Sequence, residues 1–224
     1  MDAAALRLSF ALATATTLAL LVIGLPLAQW LATSRRSWKI AVEAAVALPL
    51  VLPPTVLGFY LLVVFSPRSA VGRAFESILG HPLAFSFEGL LVASILYGLP
   101  FSVQPFTAAL GGIDRRLTEA SRALGASPLR TFARVTLPLA APGIAAGCVL
   151  SFAHTLGEFG VVLMVGGNLP GRTRTLSIAI FDAVEALDYE AANRTALLLL
   201  AVSFAVLLLT YTLRRRVQPG WPGR

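Results

Sequence analysis

Glu119-Ala120-Ser121-Arg122-Ala123-Leu124-Gly125, closed by Val135-Thr136-Leu137-Pro138, is a polar and basic stretch set between two long apolar blocks. Between residues 111 and 137 the chain is too polar to lie in hydrocarbon, yet it is rich in helix formers. Gly125 suits a helix C-terminus, Ser127 suits the cap of a following helix, and Pro128 is tolerated at that helix's first position. The spacing predicts helix, tight turn, helix. In the second helix Leu129, Phe132, Ala133 and Thr136 recur at helical spacing, and Arg130 and Arg134 form an i, i+4 basic pair. One face can rest on apolar protein while the other meets an acidic groove. Equally, such a helix can lie on a membrane with its arginines among lipid head groups.

The blocks around this stretch decide the class. Of 224 residues, 57% are hydrophobic and only 13% are charged, whereas soluble domains carry about a quarter charged residues. Apolar runs at 6–31, 40–65, 89–110, 139–165 and 196–213 are each long enough to cross a hydrocarbon core as a helix. Helices are expected because backbone groups in lipid must be satisfied within the segment, and the period-2 alternation of a membrane barrel is absent. The expectation is an all-α, polytopic membrane protein with about five spans, one transmembrane domain over residues 1–224. The polar segment occupies about 112–137, and a short tail occupies 214–224. The first span reads as uncleaved, since the basic cluster follows the apolar run instead of preceding it.

Charge sets the expected orientation. With five spans, Arg35, Arg36, Lys39, Arg115, Arg116, Arg122, Arg130, Arg134, Arg214, Arg215, Arg216 and Arg224 fall on one side. Arg7, Arg68, Arg73, Arg172, Arg174 and Arg194 fall on the other, together with Asp182, Glu185, Asp188 and Glu190. The positive-inside rule makes the first set cytosolic. The N-terminus is then outside, the C-terminus inside, and the polar segment faces the cytosol. The net charge of +7 is accounted for by this bias, because the basic residues flank apolar blocks and are not interleaved with aromatics as a nucleic-acid surface requires. Cys148 sits alone in an apolar block and reads as packing. No internal duplication suggests the repeats of a secondary carrier.

The segment resembles the EAA signature of ABC importer permeases, in which Glu-Ala-Ala is followed by a Gly and then by an Ile-x-Leu-Pro-like end. Here Ser121 stands for the third residue and Val135 for the Ile, while Gly125, Leu137 and Pro138 keep the family spacing. The resemblance implies a MetI-like type I importer permease fold. It also implies that Glu119, Ala120, Arg122, Gly125, Arg130, Leu137 and Pro138 couple the chain to an ATP-binding subunit, with Glu119 and the turn at Gly125 entering that subunit's cleft. ATP and Mg would be bound there, since this chain carries no Walker-type phosphate loop and no cofactor of its own is expected.

Two further stretches bear on cargo. Leu48-Pro49-Leu50-Val51-Leu52-Pro53-Pro54-Thr55 places three prolines in one block, which removes backbone donors and predicts a kinked or broken helix. The alternatives are a packing kink and a pathway-lining break at Pro53 and Pro54. Gly157-Glu158-Phe159-Gly160, followed by Asn168-Leu169-Pro170-Gly171-Arg172-Thr173, is similar to the pattern of molybdate permeases and more loosely to that of sulfate permeases. The resemblance implies a gate or pathway role around Gly157, Glu158, Phe159 and Gly160; the outer loop with Asn168, Pro170, Gly171, Arg172 and Thr173 is expected either to receive an external molybdate-binding protein or to carry solvated charge alone. A carboxylate deep in a membrane must face protein or water, and Glu158 would repel an oxyanion, so a structural or gate role is expected for it, held by a helix N-terminus, Asn168 or Arg172. Glu43 is expected to reach interface water, and His154 to be hydrogen-bonded packing. The implied assembly is two copies of this chain, two ATPase subunits and the binding protein, in the cytoplasmic membrane and without nucleic acid. Tungstate or sulfate/thiosulfate transport remains an alternative, as does a secondary anion carrier or channel.

Overall fold

Asp2 starts the first helix, its carboxylate accepting from the N–H groups of Ala4 and Ala5, both at 3.0 Å. The helix that follows, α1 (Ala3–Thr33), has 31 residues and by helical rise is about 46 Å long, more than a bilayer's hydrocarbon core needs. The computed structural model describes residues 2–217, so residues 218–224 of the expected tail lie outside the described residues. Among the described residues every regular element is a helix. After α1 come α2 (Lys39–Val51), α3 (Pro54–Phe65), α4 (Ala70–Leu79) and α5 (Phe87–Gly111). The polar segment holds α6 (Arg115–Ala123) and α7 (Pro128–Thr131); then follow α8 (Leu137–Gly157), α9 (Gly160–Gly166), α10 (Leu176–Glu185) and α11 (Tyr189–Val217).

Among the described residues four helical runs are long and apolar enough to cross a membrane: Ala3–Thr33, Phe87–Gly111, Pro128–Gly157 and Tyr189–Leu208. The fifth expected span is α2 and α3, two helices bent by 111° where Leu52 and Pro53 are extended. Pro53 and Pro54 break it because neither has an N–H to continue the α2 ladder, and Pro54 then serves as the first residue of α3.

The fourth block differs from its expected limits of 139–165. Helix begins at Pro128 and passes through one wide π-helical turn, Phe132–Thr136, before α8. Pro138 is the cause we assign: it has no N–H for the carbonyl of Arg134, and its ring would crowd that oxygen. In the wide turn the Leu137 N–H reaches the Phe132 carbonyl instead, five residues back. At the other end α8 stops at Glu158, whose backbone is extended (ψ 136°), and the remaining apolar residues form the short α9.

Helices α1 and α5 run parallel and α8 runs against them, with small residues at their crossings. A Cβ on Gly143 would sit 2.4 Å from Ala109 Cβ, and one on Gly147 would sit 2.6 Å from the Phe106 ring. Such close approach is the usual means of helix association in lipid, where burying apolar surface gains little. One end of this bundle holds a core of Ala28, Leu31, Val46, Phe106, Leu110, Ala140 and Ile144. The opposite end holds Leu12, Leu90, Val162 and Ile178. The polar segment lies at the first end, and the 168–188 loop region at the second.

Candidate functional site

In the polar segment the predicted helix, turn and helix are all present. Asp114 caps α6 by accepting from Arg116 N–H at 2.9 Å. Gly125 takes a left-handed conformation, φ 82°. Its N–H bonds the Arg122 carbonyl at 2.9 Å, and the Ala126 N–H bonds the Ser121 carbonyl at 3.1 Å, the paired closure that favours glycine at this position. Ser127 then caps α7 through the Arg130 N–H at 3.3 Å. Ser121, the departure from the Glu-Ala-Ala pattern, puts its hydroxyl 3.0 Å from that of Thr131 and so ties α6 to α7.

Glu119, Ala120, Arg122, Gly125 and Arg130 are exposed on this hairpin, and Pro138 is exposed in the first turn of α8. Leu137 and Phe132 instead pack on the core made by α1, α2, α5 and α8. The tip also carries apolar side chains in solvent: Leu124 is 89% exposed and Leu129 77%. Large apolar residues flanking a rigid turn in a polar segment have the character of a protein contact.

The pathway candidates from two distant stretches come together. A Cβ on Gly160 would lie 2.6 Å from Pro54 Cβ, and one on Gly58 would lie 2.7 Å from Met164 Cβ. The break after α2 and the break after α8 therefore rest on each other through α3 and α9. Gly160→Val is expected to force them apart and to cost about 1–3 kcal/mol through overpacking. The lower thermal midpoint of the purified variant reads this.

Glu158 is 8% exposed. Its Oε1 accepts from the Val161 N–H at 2.9 Å, in the first turn of α9. Of the expected holders, the helix N-terminus is the one present. Asn168 is engaged with Asp182 and Arg174, and Arg172 is exposed on the 168–173 loop. His154 Nε2 stands 3.8 Å from Glu158 Oε2, while the imidazole stacks on Phe101 with ring centroids 3.7 Å apart and lies 5.0 Å from the Tyr97 ring. No hydrogen bond reaches Nε2, so the expectation of a hydrogen-bonded packing histidine is corrected to a ring-stacked one. Ser177 Oγ donates to the Glu158 carbonyl, and Phe159 meets Phe181 at 5.0 Å. Gly157 is exposed, and a Cβ there would meet nothing within 4 Å. The roles of Tyr97, Phe101 and Ser177 have no motif in the sequence. They come from helix packing.

At the opposite end the 168–173 residues divide. Thr173 is fully buried, donating to the Gly166 carbonyl at 2.6 Å and accepting from the Leu169 N–H at 3.2 Å. Asn168 donates to Asp182 and accepts from Arg174 Nε at 2.6 Å, and Arg174 Nη2 lies 3.1 Å from Asp182 Oδ2. These residues shape the loop from within. Leu169, Pro170, Gly171 and Arg172 are the exposed ones, and Arg172 shares an open groove of about 700 Å³ with Arg7, His81 and Glu88. Glu43, at the other end, lies 3.3 Å from Lys39 Nζ and is partly exposed.

Residues 21–221 match the family model described as binding-protein-dependent transport system inner membrane component. The chain is 50% identical over 214 residues to the molybdenum transport system permease protein ModB of Azotobacter vinelandii, covering 96% of this chain and 95% of that protein. It is 38% identical over 169 residues to a probable sulfate transport system permease protein of Chlorokybus atmophyticus, covering 75% of this chain and 59% of that one. Among solved structures, an inward-facing MetNI methionine ABC transporter has a chain that superposes with TM-score 0.75 at 21% identity, covering 95% of this chain and 94% of its own. The MetI-like fold expected from the segment is the fold found.

Proposed function

The chain belongs to the binding-protein-dependent transport system inner membrane components, and from that premise we propose that it is the membrane permease through which an ATP-driven importer passes molybdate. The observation that carries the cargo is the extent of likeness: half of all positions across nearly the whole length of a molybdenum permease, against a shorter and weaker match to a sulfate one. The packing of Pro54 on Gly160 supports a pathway role for those motifs, since two interrupted helices meeting in a membrane supply irregular backbone where a cavity needs it.

In this reading the hairpin at 115–136 docks in a groove of the ATPase subunit, with Leu124 and Leu129 as apolar anchors and Glu119, Arg122 and Arg130 as polar contacts. Helix-in-groove docking suits coupling. Rigid-body motion of the ATPase passes through α7 and the π turn into α8 without a flexible joint. ATP and Mg are held by two ATPase subunits, and two copies of this chain form the pathway between them. Twelve of the eighteen basic residues fall on the hairpin side by sequence, which favours that side as cytosolic and the N-terminus as external.

Pro170, Gly171 and Arg172 then receive the external binding protein. A cysteine in place of Arg172 is expected to cross-link to that protein and to react with a membrane-impermeant thiol reagent from outside. Labelling only from the cytosolic side would contradict the orientation. Uptake of molybdate in cells is expected to be reduced by excess tungstate and unaffected by equal sulfate. Equal competition by sulfate would move the cargo to the wider oxyanion class.

A further inference from the structure

Between the hairpin and the bundle lies a cleft of about 460 Å³, walled by the last turns of α1, the end of α5 and the helices α6 and α7. Arg35, Arg115 and Arg122 line it, with Glu119, Thr33 and Gln29. None of the three guanidinium groups has a carboxylate within 4 Å among the described residues, although Glu119 lines the same wall. Three arginines without a carboxylate partner lining one concavity make it cationic, and guanidinium groups are suited to phosphate. The depth of the cleft identifies the kind of anion. Trp30, on the same last turns of α1, pairs with Trp38 at a ring separation of 4.6 Å, and Arg36 stands 5.9 Å from the Trp38 ring. Tryptophans and arginines grouped in this way at the end of a span mark the head-group layer of a bilayer. The cleft floor is apolar, with Leu110, Ile113 and Phe132.

We propose that this cleft binds the phosphodiester head group of an anionic phospholipid, its phosphate on Arg35, Arg115 and Arg122 and its upper acyl chain on the apolar floor. Glu119 fits a head group that also carries donors, such as the hydroxyls of phosphatidylglycerol. Basic pockets between spans are a recurring form of head-group recognition. A lipid seated there supports the hairpin from the bundle side and borders the ATPase contact, since Glu119 and Arg122 line the cleft as well as the hairpin surface. That consequence rests on the docking reading. The binding itself does not.

The test is lipid retention by the full chain released from discs of phosphatidylcholine and phosphatidylglycerol, read by native mass spectrometry. One saturable phosphatidylglycerol per chain is expected. Arg35→Gln with Arg115→Gln is expected to weaken it about twenty-five-fold, at about fivefold per arginine, while Arg116→Gln, outside the cleft, leaves it unchanged. Should the double variant fail to fold, Arg35→Gln alone and the lipid comparison on the unaltered chain remain decisive. Equal retention of the two lipids, or undiminished retention in the Arg35 and Arg115 variants, overturns the proposal. Displacement by millimolar inorganic phosphate assigns the site to a free anion and overturns the lipid. Loss of the lipid on adding the ATPase subunit gives the cleft to that protein and overturns it too. Because binding and uptake are read separately, failure of one leaves the other standing.

Discussion

Glu119→Lys, or Gly125→Asp, is expected to reduce ATP-driven uptake to background while the chain inserts and folds as before. Both positions are on the exposed hairpin, and Glu119 has no ion pair within 4 Å among the described residues. Reversing its charge therefore breaks no contact inside the chain. Gly125 is left-handed at φ 82°, and a Cβ there would meet nothing within 4 Å. The internal cost of a side chain is thus backbone strain of about 1–2 kcal/mol, too small to unfold a chain of this size. What changes is the surface offered to a partner: a new carboxylate at the tip, or a cation in place of an anion. Uptake and the amount of chain in the membrane fraction, measured on the same cells, separate the two effects. Full uptake by either variant would remove the hairpin from the coupling path.

Glu158→Ala is expected to be the most damaging single change inside the bundle, and Glu158→Gln much milder. The Glu158 carboxylate faces the N–H groups that open α9 and accepts from that of Val161, in a place with 8% exposure. Alanine leaves those donors with no acceptor in an apolar setting, at a cost on the order of 3 kcal/mol. Glutamine keeps a carbonyl oxygen at nearly the same position and so keeps the break between α8 and α9. Thermal unfolding of the purified chain should rank them as Ala far below Gln, with Gln near the unaltered protein. Equal loss in both variants would show that charge, and not acceptance of the α9 donors, is what Glu158 supplies.

The difference between these two sites explains what could be read in advance. The hairpin is local: Gly125, Ser127 and Pro128 set caps and a turn within a few residues, and local rules sufficed for all three. The spans were legible because lipid demands long apolar runs. The break at Pro53 was legible because proline lacks a donor. The wide turn at Phe132–Thr136 was not, although Pro138 supplies the reason, since a proline in a first turn is normally harmless. The end of α8 at Glu158 was hidden inside an unbroken apolar block. Contacts between stretches were the least legible: nothing in the sequence sets Gly160 against Pro54, or stacks His154 on Phe101. Thr173 shows the same limit from the other side. Its neighbours Gly171 and Arg172 are exposed, yet Thr173 bonds Gly166 and Leu169 beneath them.

The most direct measurement is uptake into sealed vesicles holding this chain with its ATPase subunit, with ATP available to the ATPase and a loaded binding protein on the opposite side. Molybdate is expected to accumulate only with ATP and the binding protein together, tungstate to follow it, and sulfate to lag well behind. Molybdate flux that proceeds equally without ATP would contradict the account, because it would make this chain a channel or carrier in its own right.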